Sequence, residues 1–277
     1  MVDRENRRKK MVPSLSELEQ IARAAGEILC DGFQNRPGYD REIQIDYKSV
    51  IDPVTEMDRR AEGFILAEIK GKYPHHHIIS EESGEISGDE NCSWYIDPLD
   101  GTINYAHGLP IFSISIGFEL DRVMRLGVVY NPVLDECFSA ELGKGAWLNG
   151  QPVRVSKTRD LRRSLLVTGF AYDRRTNPEN NLAQFNRLAL LVQGIRRLGS
   201  AALDLCYVAA GRLDGFWELR ISQWDLAAGA LIAREAGAVV TAADGSPDYF
   251  TPPCSVLVAN QDLYPLILEA ILNTAFT

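Results

Sequence analysis

Trp94-Tyr95-Ile96-Asp97-Pro98-Leu99-Asp100-Gly101-Thr102 carries an apolar run straight into an acid, a proline, a second acid and a glycine. Residues 93–96 read as a short buried strand. Pro98 fixes its own φ and holds Asp97 extended. Gly101 admits a tight turn in which the backbone approaches a ligand closely. Thr102 suits a helix N-cap, where free N–H groups receive an anion such as phosphate. Two carboxylates beside an anion-binding turn need a cation to coexist. Hard oxygen donors of this kind suit Mg²⁺, which prefers one or two carboxylates together with phosphate oxygens and water.

Three other segments share this style. Ile78-Ile79-Ser80-Glu81-Glu82-Ser83-Gly84 ends an apolar strand on two glutamates, Trp224-Asp225 opens a helix with an acid, and Asp52-Pro53-Val54-Thr55-Glu56-Met57-Asp58 opens another. Helix capping or turn chemistry accounts for any one of them alone. Taken together, each joined to Gly, Pro or Thr, they are better read as one constellation. The D-x-D-G-T pattern of haloacid-dehalogenase-type phosphatases is a competitor, but here the spacing is D-x-x-D-G-T. One extra residue after a strand turns the second carboxylate elsewhere, and the nucleophile–acid geometry of that class is lost.

Outward from the motif, Ser14 and Glu17 form a capping box for a first amphipathic helix, with Leu15, Leu18, Ala22, Ala25 and Leu29 at helical spacing. A second helix is expected over 58–70, stopping at Gly71, with a loop over 48–55 between the two. Strands are expected over 77–80, 93–96, 111–120, 123–130 and 136–141, with turns at Asp121-Arg122 and at the hairpin signal Asn149-Gly150. Residues up to about 150 thus read as two helices on an antiparallel sheet. Beyond them strands (165–168, 195–198, 215–218, 239–241, 256–259) alternate with helices (180–193, 200–210, 226–236, 263–273), the rhythm of an α/β layer. The expected division is a basic arm over 1–13, an α+β half over 14–150 and an α/β half over 151–277. The two halves read as packed into one unit.

The 277 residues, 45% hydrophobic and 24% charged, have ordinary globular composition, and a chain of this length buries its core without disulfides. Five scattered cysteines form no C-x-x-C pair, which fits reduced thiols in a cytoplasmic protein. No apolar run reaches the ~18 residues of a membrane span. A net charge of −9 argues against a general nucleic-acid binder. Arg4, Arg7, Arg8, Lys9 and Lys10 run against it, and with no apolar stretch behind them they read as a solvated tail rather than a signal peptide.

The sequence resembles the inositol monophosphatase family. Asp97 to Tyr105 is similar to the family's first signature. Trp224-Asp225-Leu226-Ala227-Ala228-Gly229-Ala230 with Glu235-Ala236-Gly237-Ala238 is similar to the second. The segments Asp52–Asp58 and Glu81–Gly84 follow the family's remaining acidic motifs in order. The likeness covers roughly 14–272, and Gly199-Ser200-Ala201-Ala202-Leu203-Asp204 resembles the bacterial branch.

The resemblance implies a layered α-β-α-β-α sandwich, commonly a homodimer, and a Mg²⁺-dependent phosphomonoesterase with two to three ions per site. It assigns Glu81, Asp97 and the Leu99 carbonyl to a first ion and Asp97, Asp100 and Asp225 to a second, with a third held near Glu81 through waters. Asp58 paired with Thr102, together with Glu81, would activate the attacking water. Gly101 and Thr102 would bind the phosphate, and Gly199, Ser200, Ala201 and Glu218 would face the alcohol. The implied substrate is myo-inositol-1-phosphate, with lithium inhibition. Fructose-1,6-bisphosphate comes next, then histidinol phosphate and 3′-phosphoadenosine 5′-phosphate. A binding role in a transcription complex is the alternative of another class.

Ile103 stands where the family often has a second threonine. Asp52 reads as structural and Lys48 as a phosphate-side cation. Strand alternation sends one of Arg196 and Arg197 inward, Arg196 being the candidate for the substrate wall, with a buried structural ion pair as the equal alternative. Arg174 and Arg175 read as a surface loop, and His75-His76-His77 as structural or solvated rather than metal-binding.

Overall fold

The computed structural model describes residues 12–34, 45–49 and 52–273, so the basic residues of the expected N-terminal arm lie outside it. Helix α1 (Leu15–Gln34) begins at the expected box. The Ser14 N–H donates to Glu17 Oε2 at 2.8 Å and the Glu17 N–H to Ser14 Oγ at 3.3 Å, satisfying amides that the first turn leaves open. Helix α2 (Glu56–Lys72) does not stop at Gly71, because a single glycine near a helix end costs only ~1 kcal/mol. Where a loop was expected, β1 (Ile45–Ser49) and β2 (Asp52–Thr55) form an antiparallel ribbon with Ser49 opposite Asp52. A two-stranded ribbon leaves each strand an unpaired edge, which tolerates Pro53.

The first large sheet is built from β3 (His76–Ser80), β4 (Gly84–Ile86), β5 (Asp89–Asp100), β6 (Ser113–Leu120), β7 (Val123–Asn131), β8 (Glu136–Glu141), β9 (Gly145–Leu148) and β10 (Gln151–Pro152). Its order is β10-β9-β8-β7-β6-β5-β3-β4, with β3 parallel to β5 and the other neighbours antiparallel. Both expected turns have positive φ at both central residues, Asp121 at 52° and Arg122 at 61°, Asn149 at 48° and Gly150 at 76°. That is the primed geometry whose twist matches a hairpin. Short helix α3 (Thr102–His107) follows β5.

The second sheet has order β12-β11-β13-β15-β14, from β11 (Leu165–Thr168), β12 (Gly194–Arg196), β13 (Gly215–Ile221), β14 (Val239–Thr241) and β15 (Cys254–Ala259). Helices α4 (Leu182–Ala189), α5 (Ala201–Ala209), α6 (Gln223–Glu235) and α7 (Tyr264–Leu272) complete the chain. The helix expected over 180–193 starts late and ends early, at Ala189; at its start Asn181 is held outside it. Its side chain donates to Thr168 Oγ1 at 2.8 Å and accepts from Trp217 Nε1 at 2.6 Å.

Burial sorts these elements into five layers. Leu18, Leu29, Ile65 and Ile69 of α1 and α2 pack on Trp94, Ile96, Ile116 and Phe118 of the first sheet. On the second sheet alternate residues separate by face, as strand geometry requires. Val167, Phe216, Val256 and Val258 meet α5 and α6, while Leu166, Trp217 and Leu257 meet Leu188 of α4 and Ile267 and Ile271 of α7. Helices α5 and α6 therefore lie between the sheets, and the architecture is the α-β-α-β-α sandwich expected. Gly117 lets α6 approach the first sheet, since a Cβ there would stand 2.7 Å from that of Ala227. Among the described residues no helix is long and apolar enough to cross a membrane, and the five cysteines are unpaired.

Candidate active site

Strand β5 does not end before its acids; it runs through them. The ladder with β6 passes from Asp97–Ser115 to Asp100–Ser113, so β5 uses three residue steps where β6 uses two. In a regular strand residues three apart point to opposite faces, and this extra residue brings both carboxylates to one side. The Leu99 N–H folds back onto Asp97 Oδ1 at 2.9 Å and fixes that side chain.

Asp225 arrives from the other half of the chain, in the first turn of α6. Its Oδ2 accepts the Ser222 N–H at 3.1 Å, and the preceding carbonyl, of Trp224, accepts Ser115 Oγ at 3.1 Å. Ser115 is the residue opposite Asp97 in the ladder, so one hydroxyl ties the start of α6 to the position facing the first acid. Asp97, Asp100 and Asp225 consequently present carboxylate oxygens within 4.8 Å of one another. Glu81, just past β3, lines the same cleft of about 740 Å³.

Gly101 turns the chain out of β5 with φ +95°, a conformation that favours glycine, and a Cβ there would stand a tight 3.0 Å from the Ile111 carbonyl. Thr102 then opens α3. Its hydroxyl is 3.1 Å from Asp58 Oδ1 and 3.0 Å from the Leu99 carbonyl, and its single proton serves one of these acceptors at a time. Asp58 is fully buried in the first turn of α2.

The opposite wall is the start of α5. Ser200 Oγ donates to Asp100 Oδ2 at 2.6 Å and the Ala202 N–H donates to the same oxygen at 2.8 Å, so Asp100 closes the helix N-terminus. The Asn104 amide donates to the Ile111 and Leu198 carbonyls, both at 2.7 Å, and pins this wall to α3. Gly199, Ser200, Ala201 and Glu218 all line the cleft. Arg196 does not: its guanidinium turns back to the Ile195 carbonyl at 3.3 Å, while Arg197, equally exposed, lines the cleft. Alternation places one of the pair inward, and the structure brings Arg197 rather than Arg196 to the cleft, just past the end of β12. A second cation in the wall is Arg220, paired with Asp173 at 3.3 Å. Arg174 and Arg175 do not line the cleft, and Lys48 and Asp52 fall in the β1–β2 ribbon. Buried Asp204, the last residue of the Gly199–Asp204 stretch, lines the cleft as well. His76 and His77 are buried in the first sheet, His76 accepting the Trp94 indole N–H at 3.0 Å.

Electrostatics at the cleft are unfavourable to protein alone. Burial lifts the Asp97 carboxyl well above its usual range, and Glu81, Asp100 and Asp225 lift it further. Asp225 is raised by burial, then by Asp100 and Glu81. Asp100 is raised by burial against the lowering effect of Ser200 and the α5 amides. Burial pushes Glu218 up to about 8, with Asp225 adding to the shift and Arg197 opposing it. A compact all-oxygen donor set whose ionised form is destabilised by mutual repulsion fits a hard divalent cation.

The chain as a whole is similar to known proteins. The inositol monophosphatase family model matches residues 11–274. An inositol-1-monophosphatase from Synechocystis is 53% identical over 269 residues, covering 96% of this chain and 93% of that protein. A Nus factor SuhB from Pasteurella multocida is 42% identical, covering 95% of this chain and 96% of the relative. Among solved structures, inositol monophosphatase from Anabaena superposes with a TM-score of 0.83 at 42% identity, covering 93% of this chain and 94% of that one.

Proposed function

The chain belongs to the inositol monophosphatase family and is a phosphoric monoester hydrolase, and we propose that its substrate is a polyol or sugar phosphate, first of all myo-inositol-1-phosphate, hydrolysed with Mg²⁺ by attack of water. The observation that carries this reading is the meeting of Asp97, Asp100 and Asp225 beside the Thr102–Asp58 pair in one cleft. Glu81, Asp97 and the Leu99 carbonyl would hold one ion, Asp97, Asp100 and Asp225 a second, and Glu81 a third through water. Bound divalent ions supply charge neutralisation for the phosphate and a more acidic water.

The rest is done by the chain's own groups. Thr102 Oγ lies between Asp58 and the reacting space, so it accepts a hydrogen bond from the attacking water while donating its own proton to Asp58. Glu81, which lines the same cleft, orients the same water. Gly101 and Thr102 present backbone N–H groups to the phosphate. Glu218 accepts a hydrogen bond from a hydroxyl of the alcohol, and Ser200 and Ala201 fix the wall against which that alcohol rests. No covalent intermediate is required, because positioning and charge neutralisation suffice for phosphoryl transfer. The family resemblance and the unpaired thiols support a cytoplasmic homodimer.

The test is a panel of inositol-1-phosphate, fructose-1,6-bisphosphate, histidinol phosphate and 3′-phosphoadenosine 5′-phosphate, each with Mg²⁺ and with Li⁺ added. The expected result is the highest kcat/KM on inositol-1-phosphate and suppression by Li⁺; no phosphate release from any of them would end the enzyme reading. Relatives that carry the name Nus factor SuhB support a second role, in a transcription complex. Co-purification with a transcription complex that survives Asp97→Asn would establish it beside catalysis.

Mg²⁺ should also stabilise the fold in a pH-dependent way. A buried acid raised in the folded state lends its full stability below its unfolded value and loses it as pH rises through the folded value. For Glu218 that window runs from 4.5 to about 8. Asp97, Asp100 and Asp225 are raised in the same direction, so the metal-free protein loses stability as pH rises, and a cation held by these three restores it where they are ionised. At 100-fold excess over Kd, Mg²⁺ is worth about 2.7 kcal/mol, or a Tm rise of roughly 5–10 °C in a chain of this size. Thermal scans should show a clearly larger rise at pH 8 than at pH 6.

A further inference from the structure

Glu62 lies one helical turn after Asp58 on α2 and is only 5% exposed. Four donors converge on its two oxygens. Ser80 Oγ, the Glu82 N–H at 3.2 Å and the Ser83 N–H at 2.9 Å meet Oε1, and Ser83 Oγ meets Oε2 at 2.6 Å. A carboxylate only accepts, and every partner here donates, so the match is complete and charge-assisted. The donors come from the residues on either side of Glu81. Glu81 itself is held from the opposite direction, its N–H donating to the Ile96 carbonyl at 3.1 Å, one residue before Asp97.

The backbone of Glu81 is thus clasped between α2 and β5. Residues i and i+4 share a helix face, so α2 grips the Glu81 turn with Glu62 and the Thr102 hydroxyl with Asp58. We propose that Glu62 is a positioning residue that sets the Glu81 carboxylate for cation binding, with α2 keeping Glu81 and Thr102 in register. The proposal rests on the reading of Glu81 as a metal ligand.

The test uses direct Mg²⁺ titration calorimetry on the substrate-free protein, the Mg²⁺ dependence of phosphate release, and hydrogen exchange at residues 81–83. Glu62→Ala should weaken Mg²⁺ binding about tenfold or more, the cost of losing a group that orients a ligand, and speed exchange at 81–83. Glu62→Gln keeps an acceptor oxygen for the three donors at Oε1 and should recover most of the affinity. If Glu62→Ala does not fold, Ser80→Ala/Ser83→Ala removes two of the donors and should shift Mg²⁺ binding in the same direction. Faster exchange at 81–83 with wild-type Mg²⁺ affinity, in either variant, overturns the proposal. Failure of the wild type to bind Mg²⁺, or full binding by Asp97→Asn, overturns the site assignment itself, and the proposal with it.

Discussion

Asp97→Asn is expected to lower kcat/KM on the order of 10³-fold or more, about 4 kcal/mol of transition-state stabilisation, while leaving the protein folded. Asparagine keeps the shape of the side chain and an oxygen for the Leu99 N–H. What it removes is the charge that faces Glu81, Asp100 and Asp225. Those neighbours repel that charge in the metal-free protein, so the substitution relieves strain in the fold even as it destroys the cation site. Activity and stability should therefore move in opposite directions. Assayed together, a large loss of phosphate release with an unchanged or higher metal-free Tm separates a ligand role from a structural one. A Tm that falls with the activity would make Asp97 a packing residue.

Thr102→Val is the second large effect. Valine fills nearly the same buried volume and removes only the hydroxyl that lies 3.1 Å from Asp58 and 3.0 Å from the Leu99 carbonyl. If that hydroxyl receives the water's hydrogen bond, kcat should drop roughly 10²–10³-fold with KM changed only a few-fold. Thr102→Ser should keep most of the activity. Asp58→Asn should resemble Thr102→Val, and the double substitution should cost little more than either alone, because the two residues act as one unit. Independent, additive losses would disprove the relay.

Much of the site is legible because its acids sit at ends of elements that periodicity and punctuation mark out. Asp225 follows a turn and opens a helix, Glu81 closes an apolar strand, and Thr102 follows glycine. The arrangement that brings Asp97 and Asp100 together is a different matter. Read linearly, the acids lie past the strand, whereas β5 extends to Asp100 and absorbs one extra residue. A bulge is defined by the partner strand's register, and no pattern within residues 94–102 records where Ser113 and Ser115 will pair. The choice between Arg196 and Arg197 has a related cause, since alternation says that one of them turns inward and only the placement of the end of β12 shows that Arg197 is the one at the cleft. Glu62 gave no signal at all. On a helix read by its apolar stripe it is one more polar residue, and only the tertiary position of the 80–83 turn makes it a buried acceptor. The β1–β2 ribbon was missed because Pro53 reads as a breaker, which holds for a central strand but not for a two-stranded edge.

The most direct test of the account is phosphate release from myo-inositol-1-phosphate by the purified protein, stripped with EDTA and then titrated with Mg²⁺. The account predicts no turnover in EDTA and a saturable recovery with Mg²⁺ that Asp97→Asn does not show. Turnover that persists in EDTA, or a recovery equal in Asp97→Asn, would contradict it.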